Sequence, residues 1–197
     1  GKCRGSGTAV TFEPDPEIFS SKGGSASGGE KIQFDWNRIL DHVRQQAYLI
    51  PGTRISIIDQ QNGGQSKNGE ALHASYAFYF EGGIVSYVRY LNRSETPKHE
   101  HVFYASKETE VNSAKKILVE AAFQYTDDIQ PKEISFANNI HTGEGGMHLT
   151  GFRTALTRVL NDYAKQNDYF KKDDEALTGD DVREGMTAVI SVKMREP

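Results

Sequence analysis

The chain has 197 residues, with 23 basic and 27 acidic side chains and a formal net charge of −4. This balance excludes a globally basic nucleic-acid binder, although it leaves room for a local basic patch. No apolar run approaches the ~18 residues of a membrane-spanning helix. The single cysteine, Cys3, excludes an internal disulfide framework and a cysteine-rich zinc site, which fits a reducing, cytoplasmic setting. The length suits one domain or two small pieces, and a start at Gly1 without a signal-peptide pattern is compatible with a fragment of a longer protein.

The first eighty residues are predicted to form a strand, a helix and two further strands. Alternation and β-branched residues predict a strand at 7–12, which the prolines that follow would end. Asp35 is expected to cap a helix whose apolar residues recur at three- and four-residue steps, and Pro51-Gly52 is expected to end it. Further strands are predicted at residues 53–59 and 75–80.

Two stretches have the composition of loops. Residues 20–29 are rich in glycine and serine, and residues 60–70 are polar with turn dipeptides. Both are expected to be surface insertions without a direct functional role.

The rest of the chain alternates between helical and extended patterns. A short helix is predicted after Gly82-Gly83, a longer helix after the glycine-rich turn at 142–146, and a short helix capped by Thr178. Strands are predicted at residues 101–106, 117–125, 134–140 and 186–194. The expected buried stripe of the longer helix is Leu149, Phe152, Leu156, Val159, Leu160 and Tyr163. Because strands and helices do not alternate strictly, the predicted fold class is α+β.

Generic catalytic motifs are absent from the sequence, which has no phosphate-binding P-loop, no HExxH and no GxSxG. His99 and His101 are one residue apart at a predicted strand entry, but a metal pair would need further ligands, so they are interpreted as surface histidines. No catalytic residue and no metal ligand is predicted in the chain.

The glycine-rich turn around Glu144 allows two interpretations. Free N–H groups at the start of a helix could cradle an anion. A strand-to-helix connection that needs special backbone dihedrals is the favoured alternative. Arg153 and Arg158 on the following helix are about 140° apart around its axis, so by themselves they are interpreted as solvated residues.

Five blocks in order resemble the B subunits of bacterial type II DNA topoisomerases, DNA gyrase and topoisomerase IV. They are GTAVTFEPDPEIF (7–19), RQQAYL (44–49), FEGGIVSYVRYLN (80–92), SFANNIHTGEGGMHLTGFRTALTRVLNDYA (135–164) and LTGDDVREGMTAVISVKMREP (177–197). The resemblance spans nearly the whole chain apart from the two loop-like stretches, and it is somewhat nearer to gyrase.

This resemblance implies a fold and a domain division. Residues 1–82 would be the C-terminal part of a GHKL-type ATP-binding domain, an α/β sandwich. Residues 83–197 would be a transducer domain of the GHMP-kinase and ribosomal-small-subunit-protein type, lacking the Gln-Thr-Lys loop that carries a lysine to the γ-phosphate. Gly82 and Gly83 would form a hinge at the junction.

The resemblance also implies site residues and cofactors. Thr8 matches a nucleotide-pocket threonine, and Arg153 matches an arginine that lines the DNA cavity between two dimerised ATPase regions. The alternative for Arg153 is an intramolecular salt bridge on a helix surface. Met147 stands where the family usually has threonine, which removes a hydroxyl from that turn. The family's Mg-binding Asn and catalytic Glu have no counterpart in the chain, so this fragment alone is expected to be inactive and to bind neither ATP nor Mg²⁺ tightly.

The implied function is that of an ATP-hydrolysing type II topoisomerase, an isomerase that couples ATP hydrolysis to DNA strand passage. Its implied partners are a DNA duplex, an A-type gyrase subunit and a second B subunit, with no membrane involved. The fragment itself is expected to be monomeric. Two alternatives stay open: a topoisomerase IV B-type subunit, and a stand-alone, non-catalytic interaction module with the transducer fold.

Overall fold

The structure is a computed structural model that describes residues 6–15, 34–65, 71–111, 115–170 and 175–195. Cys3 and the Gly/Ser-rich stretch at 20–29 lie outside the described residues. The chain divides into two compact units, Gly1–Leu40 and Asp41–Pro197. Within the described part, no helix is both long and apolar enough to cross a membrane.

The first unit contains an irregular segment and the start of the first helix. Residues 6–15 have no regular secondary structure, so the predicted strand at 7–12 is wrong. A strand forms only when its N–H and C=O groups pair with a neighbour, and none of the described strands pairs with this segment. Its apolar side chains are therefore exposed, as Phe12 shows at 73%.

Helix α1 (Trp36–Leu49) begins where the sequence predicted. The Asp35 side chain accepts a hydrogen bond from the Arg38 amide at 3.1 Å, which satisfies one of the free donors of the first turn and confirms the predicted cap. The last three residues, Ala47, Tyr48 and Leu49, are buried.

The second unit contains two sheets. Strands β1 (Ile55–Gln65) and β2 (Ala71–Phe78) form an antiparallel pair whose register is irregular between Asp59 and Gly64. Helix α2 (Gly83–Leu91) follows. The predicted loop at 60–70 is thus partly wrong, because β1 continues as far as Gln65 in spite of its polar composition.

A five-stranded sheet forms the centre of the second unit. Its order is β3-β4-β7-β5-β6, with β5 and β7 parallel and the other neighbours antiparallel. The strands are β3 (Phe103–Val111), β4 (Lys115–Tyr125), β5 (Lys132–Ala137), β6 (Ile140–His141) and β7 (Met186–Met194). The first seven residues of β7 are buried, as expected for a central strand covered on both faces.

Helices cover both faces of this sheet. On one face, the end of α1 and helix α2 pack against Ala122, Phe136 and Val189. On the other face, helix α3 (Met147–Gln166) packs against the alternate residues of β7. Helix α4 (Gly179–Arg183) is closed by the predicted Thr178 cap, which forms a capping box with Asp181. These elements confirm the α+β prediction.

Two predictions in this region are wrong. The strand predicted at 134–140 ends at Ala137, because Asn138 and Asn139 have φ values of +48° and +65° and turn the chain into β6. Two members of the predicted α3 stripe, Val159 and Tyr163, are each 56% exposed. A 20-residue helix is about 30 Å long, and the members that pack on the sheet are Leu149, Phe152 and Leu156.

Candidate functional site

A stack of three aromatic rings lies where α1, the segment after β2 and α2 meet. The ring of Tyr48, near the end of α1, lies 3.8 Å from the ring of Phe80 and 4.7 Å from the ring of Tyr87 in α2, both in stacked geometry. Burial raises the pKa of Tyr48 from its ordinary value near 10 to about 12, so its hydroxyl stays neutral at pH values where an exposed tyrosine ionises. The stack joins α1, the segment after β2 and α2 in one apolar core.

The glycine pair lies at the start of α2, next to this stack. Gly83 is buried and has a φ of +54°, a conformation that side chains with a Cβ rarely adopt. A Cβ placed there would meet Pro51 and the Tyr48 carbonyl at about van der Waals distance. Gly82 is the N-cap, with an ordinary φ of −76°. The pair thus connects β2 to α2 through a packed turn, and its role as a hinge stays a prediction.

Arg44 ties the middle of α1 to the neighbouring elements. Its guanidinium lies over the rings of Phe78 and Tyr90, with 5.5 Å and 5.2 Å from the guanidinium carbon to the ring centroids. It donates to the Asp41 carboxylate at 2.7 Å and to the Tyr90 hydroxyl at 2.8 Å. This arrangement fixes α1 to the β1–β2 pair and to α2 through cation–π contacts and charge-assisted hydrogen bonds.

The end of α1 is also bound to the end of β7, at a set of residues that we call the helix–sheet junction: Gln46, Leu49, Asn139 and Lys193. The Lys193 ammonium donates to the Leu49 carbonyl at 3.0 Å. The Gln46 side chain donates to the Asn139 carbonyl at 2.9 Å. Both contacts join residues far apart in the chain, so they hold tertiary structure and not only local structure.

Arg153 forms a two-pronged ion pair with Glu133 of β5. Its Nε donates to both carboxylate oxygens at 3.0 and 3.1 Å, and its Nη2 donates to Oε2. The Glu133 side chain is only 7% exposed, whereas that of Arg153 is 40% exposed. Hydrogen bonding to Glu133 raises the pKa of Arg153. The structure therefore contains the intramolecular salt bridge, and the role of Arg153 at a DNA cavity stays a prediction.

The glycine-rich turn provides a compact connection into α3. Gly145 has a φ of +82°, and its amide donates to the Thr142 carbonyl at 2.9 Å. The Thr142 hydroxyl donates to the Ser135 carbonyl at 2.8 Å and lies 3.1 Å from Nε2 of His148. Special dihedrals are thus present here, as the connection interpretation requires. Met147 is 89% exposed and has no hydroxyl, and the hydroxyl that donates to the Ser135 carbonyl at this turn is that of Thr142.

His99 is occupied by backbone contacts. Its Nε2 accepts a hydrogen bond from the Tyr125 amide at 3.1 Å, which leaves Nδ1 as the protonated nitrogen that donates to the His101 carbonyl at 2.6 Å. Neither nitrogen is then available to a metal ion. Among the described residues there is also no group of three or more His, Cys, Asp or Glu that could hold one.

The described residues do not fit ATP and Mg²⁺. Thr8 lies exposed on the irregular segment of the first unit, and the part of the chain that the structure describes offers no metal-ligand cluster. No chemical step is therefore assigned to a residue of this chain. The nucleotide-pocket role of Thr8 stays a prediction.

Comparison with protein families identifies the family of this chain. The model of the family described as DNA gyrase B matches residues 83–197, which is more than half of the chain. The chain belongs to the DNA gyrase B family. The resemblance inferred from the five sequence blocks is thereby confirmed, and so is the preference for gyrase within it.

Curated members of this family are similar over nearly the whole chain. The DNA gyrase B protein of Streptococcus pyogenes serotype M3 is 46% identical over 191 residues, and that of Clostridium acetobutylicum is 42% identical over the same length. Each alignment covers 97% of this chain but only 26% of the length of the relative. The chain thus spans about a quarter of the length of the curated relatives that it matches.

Solved structures show the same fold. The 43K ATPase domain of Thermus thermophilus gyrase B, in complex with an aminocoumarin, aligns with a TM-score of 0.73 and 32% identity. That alignment covers 94% of this chain and 44% of the solved chain. The topoisomerase IV ATP-binding domain of Francisella tularensis, with a small-molecule inhibitor, aligns with a TM-score of 0.63 and 18% identity over 85% of this chain and 41% of that one. The second likeness shows the fold alone.

Several residues that shape this site were missed by the sequence interpretation. Glu133, Lys193, Gln46 and Arg44 carry ion pairs or long-range hydrogen bonds, yet each reads as an ordinary polar residue in the sequence. One signal was present, because Gln46 and Arg44 lie inside the RQQAYL block and Lys193 lies inside the last block. Polar residues inside such blocks are candidates for fixed tertiary contacts.

Proposed function

We propose that this chain is the part of a DNA gyrase B protein that connects the ATP-binding domain to the transducer domain, with the boundary at residues 82 and 83. The observation that carries the proposal is the shared core: the end of α1, on the ATP-binding side of this boundary, packs with α2 and the five-stranded sheet on the other side. A rigid connection of this kind can pass a nucleotide-dependent movement from one domain to the next.

The complete protein would be an ATP-dependent type II topoisomerase that acts in the cytoplasm. It would use ATP and Mg²⁺, pair with an A-type gyrase subunit and a second B subunit, and pass one DNA duplex through another. The family assignment, the similarity to curated gyrase B proteins and the likeness to a gyrase ATPase domain support this. The ATP chemistry itself would come from residues of the complete protein, with Thr8 at the edge of the nucleotide pocket.

The test is a reconstitution of the complete protein with its A-type partner on relaxed plasmid DNA. We expect negative supercoils that depend on ATP and Mg²⁺. Decatenation of linked circles without supercoiling would indicate a topoisomerase IV B-type subunit instead. No change of DNA topology and no ATP hydrolysis would favour the stand-alone interaction module. Residues 1–197 alone should show no micromolar ATP binding by calorimetry.

The DNA role of Arg153 can be separated from its role in the ion pair. The pair with Glu133 neutralises much of the charge that would attract a phosphate. In the complete protein, R153A should lower DNA-stimulated ATP hydrolysis and leave the basal rate unchanged. E133Q keeps the arginine and frees its charge, so it should preserve or raise the stimulation. Equal losses in R153A and E133Q would show that only the ion pair matters.

A further inference from the structure

The end of α1 is held by a lysine from the sheet. The last four carbonyls of a helix lack partners within the helix. The carbonyl of Leu49 is one of these, and Leu49 is only 1% exposed. This carbonyl accepts a hydrogen bond from the Lys193 ammonium at 3.0 Å. A cation at this end also interacts favourably with the helix dipole. Lys193 is the residue before the last of β7, so this single contact fixes the end of the helix to the end of the central strand.

The lysine is itself held in place from the sheet. The Glu120 carboxylate of β4, 14% exposed, lies 3.5 Å from the Lys193 ammonium. The same residue's carboxylate accepts a hydrogen bond from the Tyr104 hydroxyl of β3 at 2.9 Å. Glu120 thus pairs the ammonium on the sheet side, while the Lys193 side chain is 34% exposed. The ammonium is thus directed at α1 by two neighbouring strands.

A second tie closes the same junction. The Asn138 side chain accepts from the Met194 amide and donates to the Met194 carbonyl, both at 2.8 Å, and so extends the pairing of β7. The carbonyl of the adjacent residue, Asn139, accepts a hydrogen bond from the Gln46 side chain of α1 at 2.9 Å. The turn between β5 and β6 therefore binds α1 on one side and the end of β7 on the other.

We propose that Lys193 is a positioning residue that couples α1 to the end of β7, so that a displacement of the helix is transmitted to the strand. The contact between Asn139 and Gln46 supports this coupling but lacks the charge that makes the lysine contact strong. The inference rests on the proposed function, because α1 is assigned to the ATP-binding domain and β7 to the transducer domain. Lys193 would then be a residue that transmits movement between the ATP-binding domain and the transducer domain.

The experiment uses the complete protein with its A-type partner and three variants. K193M keeps most of the side-chain volume but removes the ammonium, and K193R can still donate to the Leu49 carbonyl. K116M is the matched control, since Lys116 lies on β4 in an exposed ion pair with Glu108 at 2.9 Å. K193M should lower both DNA-stimulated ATP hydrolysis and supercoils formed per ATP by about tenfold, the scale of one charge-assisted hydrogen bond, with basal hydrolysis within about twofold of wild type. K193R should restore both, and K116M should match wild type.

Three results would overturn the proposal. K193M could lose thermal stability while its coupling per folded molecule stays at the wild-type level, which is a purely structural effect. K193R could fail to restore coupling, or K116M could lose as much as K193M. If the wild-type enzyme neither hydrolyses ATP nor changes DNA topology, the proposed function fails instead. In that case, amide hydrogen exchange in residues 1–197 still tests the coupling of α1 to β7. K193M should speed exchange at both the end of α1 and the end of β7, and K193R should not; any other result overturns the coupling.

Discussion

At the scale of single residues, Tyr48 is the group of the candidate site that lies between two other aromatic rings. Its ring is stacked on both sides and its residue is 3% exposed. The sequence places a tyrosine in a helical pattern of apolar residues but does not show which rings it meets, because Phe80 and Tyr87 come from other elements. Packing of this kind is decided by the tertiary fold and not by local propensity.

The raised pKa of Tyr48 predicts a loss of stability at alkaline pH. An unfolded tyrosine ionises near pH 10, whereas folded Tyr48 stays neutral to about 12. The stabilisation that comes from burying the neutral Tyr48 hydroxyl is therefore complete below pH 10 and is lost as the pH rises towards 12. Y48F, which cannot ionise, should show a shallower fall in the free energy of unfolding between pH 10 and 12. The check is urea unfolding at several pH values, with pH 8 as the reference for packing effects; equal slopes would contradict the prediction.

Arg153 and Glu133 predict a coupled effect on stability. Removing the arginine leaves a nearly buried carboxylate without its cation, so R153M should lower the free energy of unfolding by about 1–2 kcal/mol, at the low end for an ion pair because the arginine is partly exposed. R153M/E133Q should recover part of that loss, because a neutral amide is less costly to bury. R158M, on an exposed position of the same helix, should change stability by less than about 0.5 kcal/mol. Additive losses in the double variant would argue against the coupling.

At the scale of secondary-structure elements, the sequence correctly predicted the helix starts that are marked by a capping residue or by glycines. The Asp35 and Thr178 caps and the glycines before α2 mark helix ends through short-range hydrogen bonds and dihedrals, and the structure has them there. The segment at 7–12 failed because a strand depends on a partner that local sequence does not reveal. The turn at Asn138-Asn139 was missed although asparagine tolerates a positive φ, and that dipeptide was the available signal.

The start of α2 predicts a difference between its two glycines. Gly83 has a φ of +54°, so G83A should destabilise the chain by about 1–2 kcal/mol through backbone strain. Gly82 has an ordinary φ, and a Cβ there would collide only with the Ser86 hydroxyl. In an S86A background, G82A should therefore be nearly neutral. Thermal and urea unfolding of G83A, S86A and G82A/S86A would measure this, and an equal cost at both glycine positions would refute the strain argument.

At the scale of the whole molecule, the family was predictable and the junction was not. Five blocks in the same order, spread from residue 7 to residue 197, identified the family, and the family model matches 83–197. The contacts at Lys193, Gln46 and Arg153 could not be derived in the same way. Each joins a polar side chain to a group that is distant in the sequence, and a single sequence does not show which group that is. The family blocks mark Gln46 and Lys193 as candidates for fixed contacts without naming their partners.

The end of α1 and the five-stranded sheet are expected to form one cooperative body, which is what allows a movement to pass between them. Native-state hydrogen exchange on residues 1–197 tests it most directly. The amides of residues 45–49, of α2 and of β7 should open with one common free energy. V189A, which trims a fully buried residue of the shared core, should lower that free energy at all three places by the same amount, roughly 1–3 kcal/mol. Opening of residues 45–49 at a separate, lower free energy that V189A leaves unchanged would contradict the account.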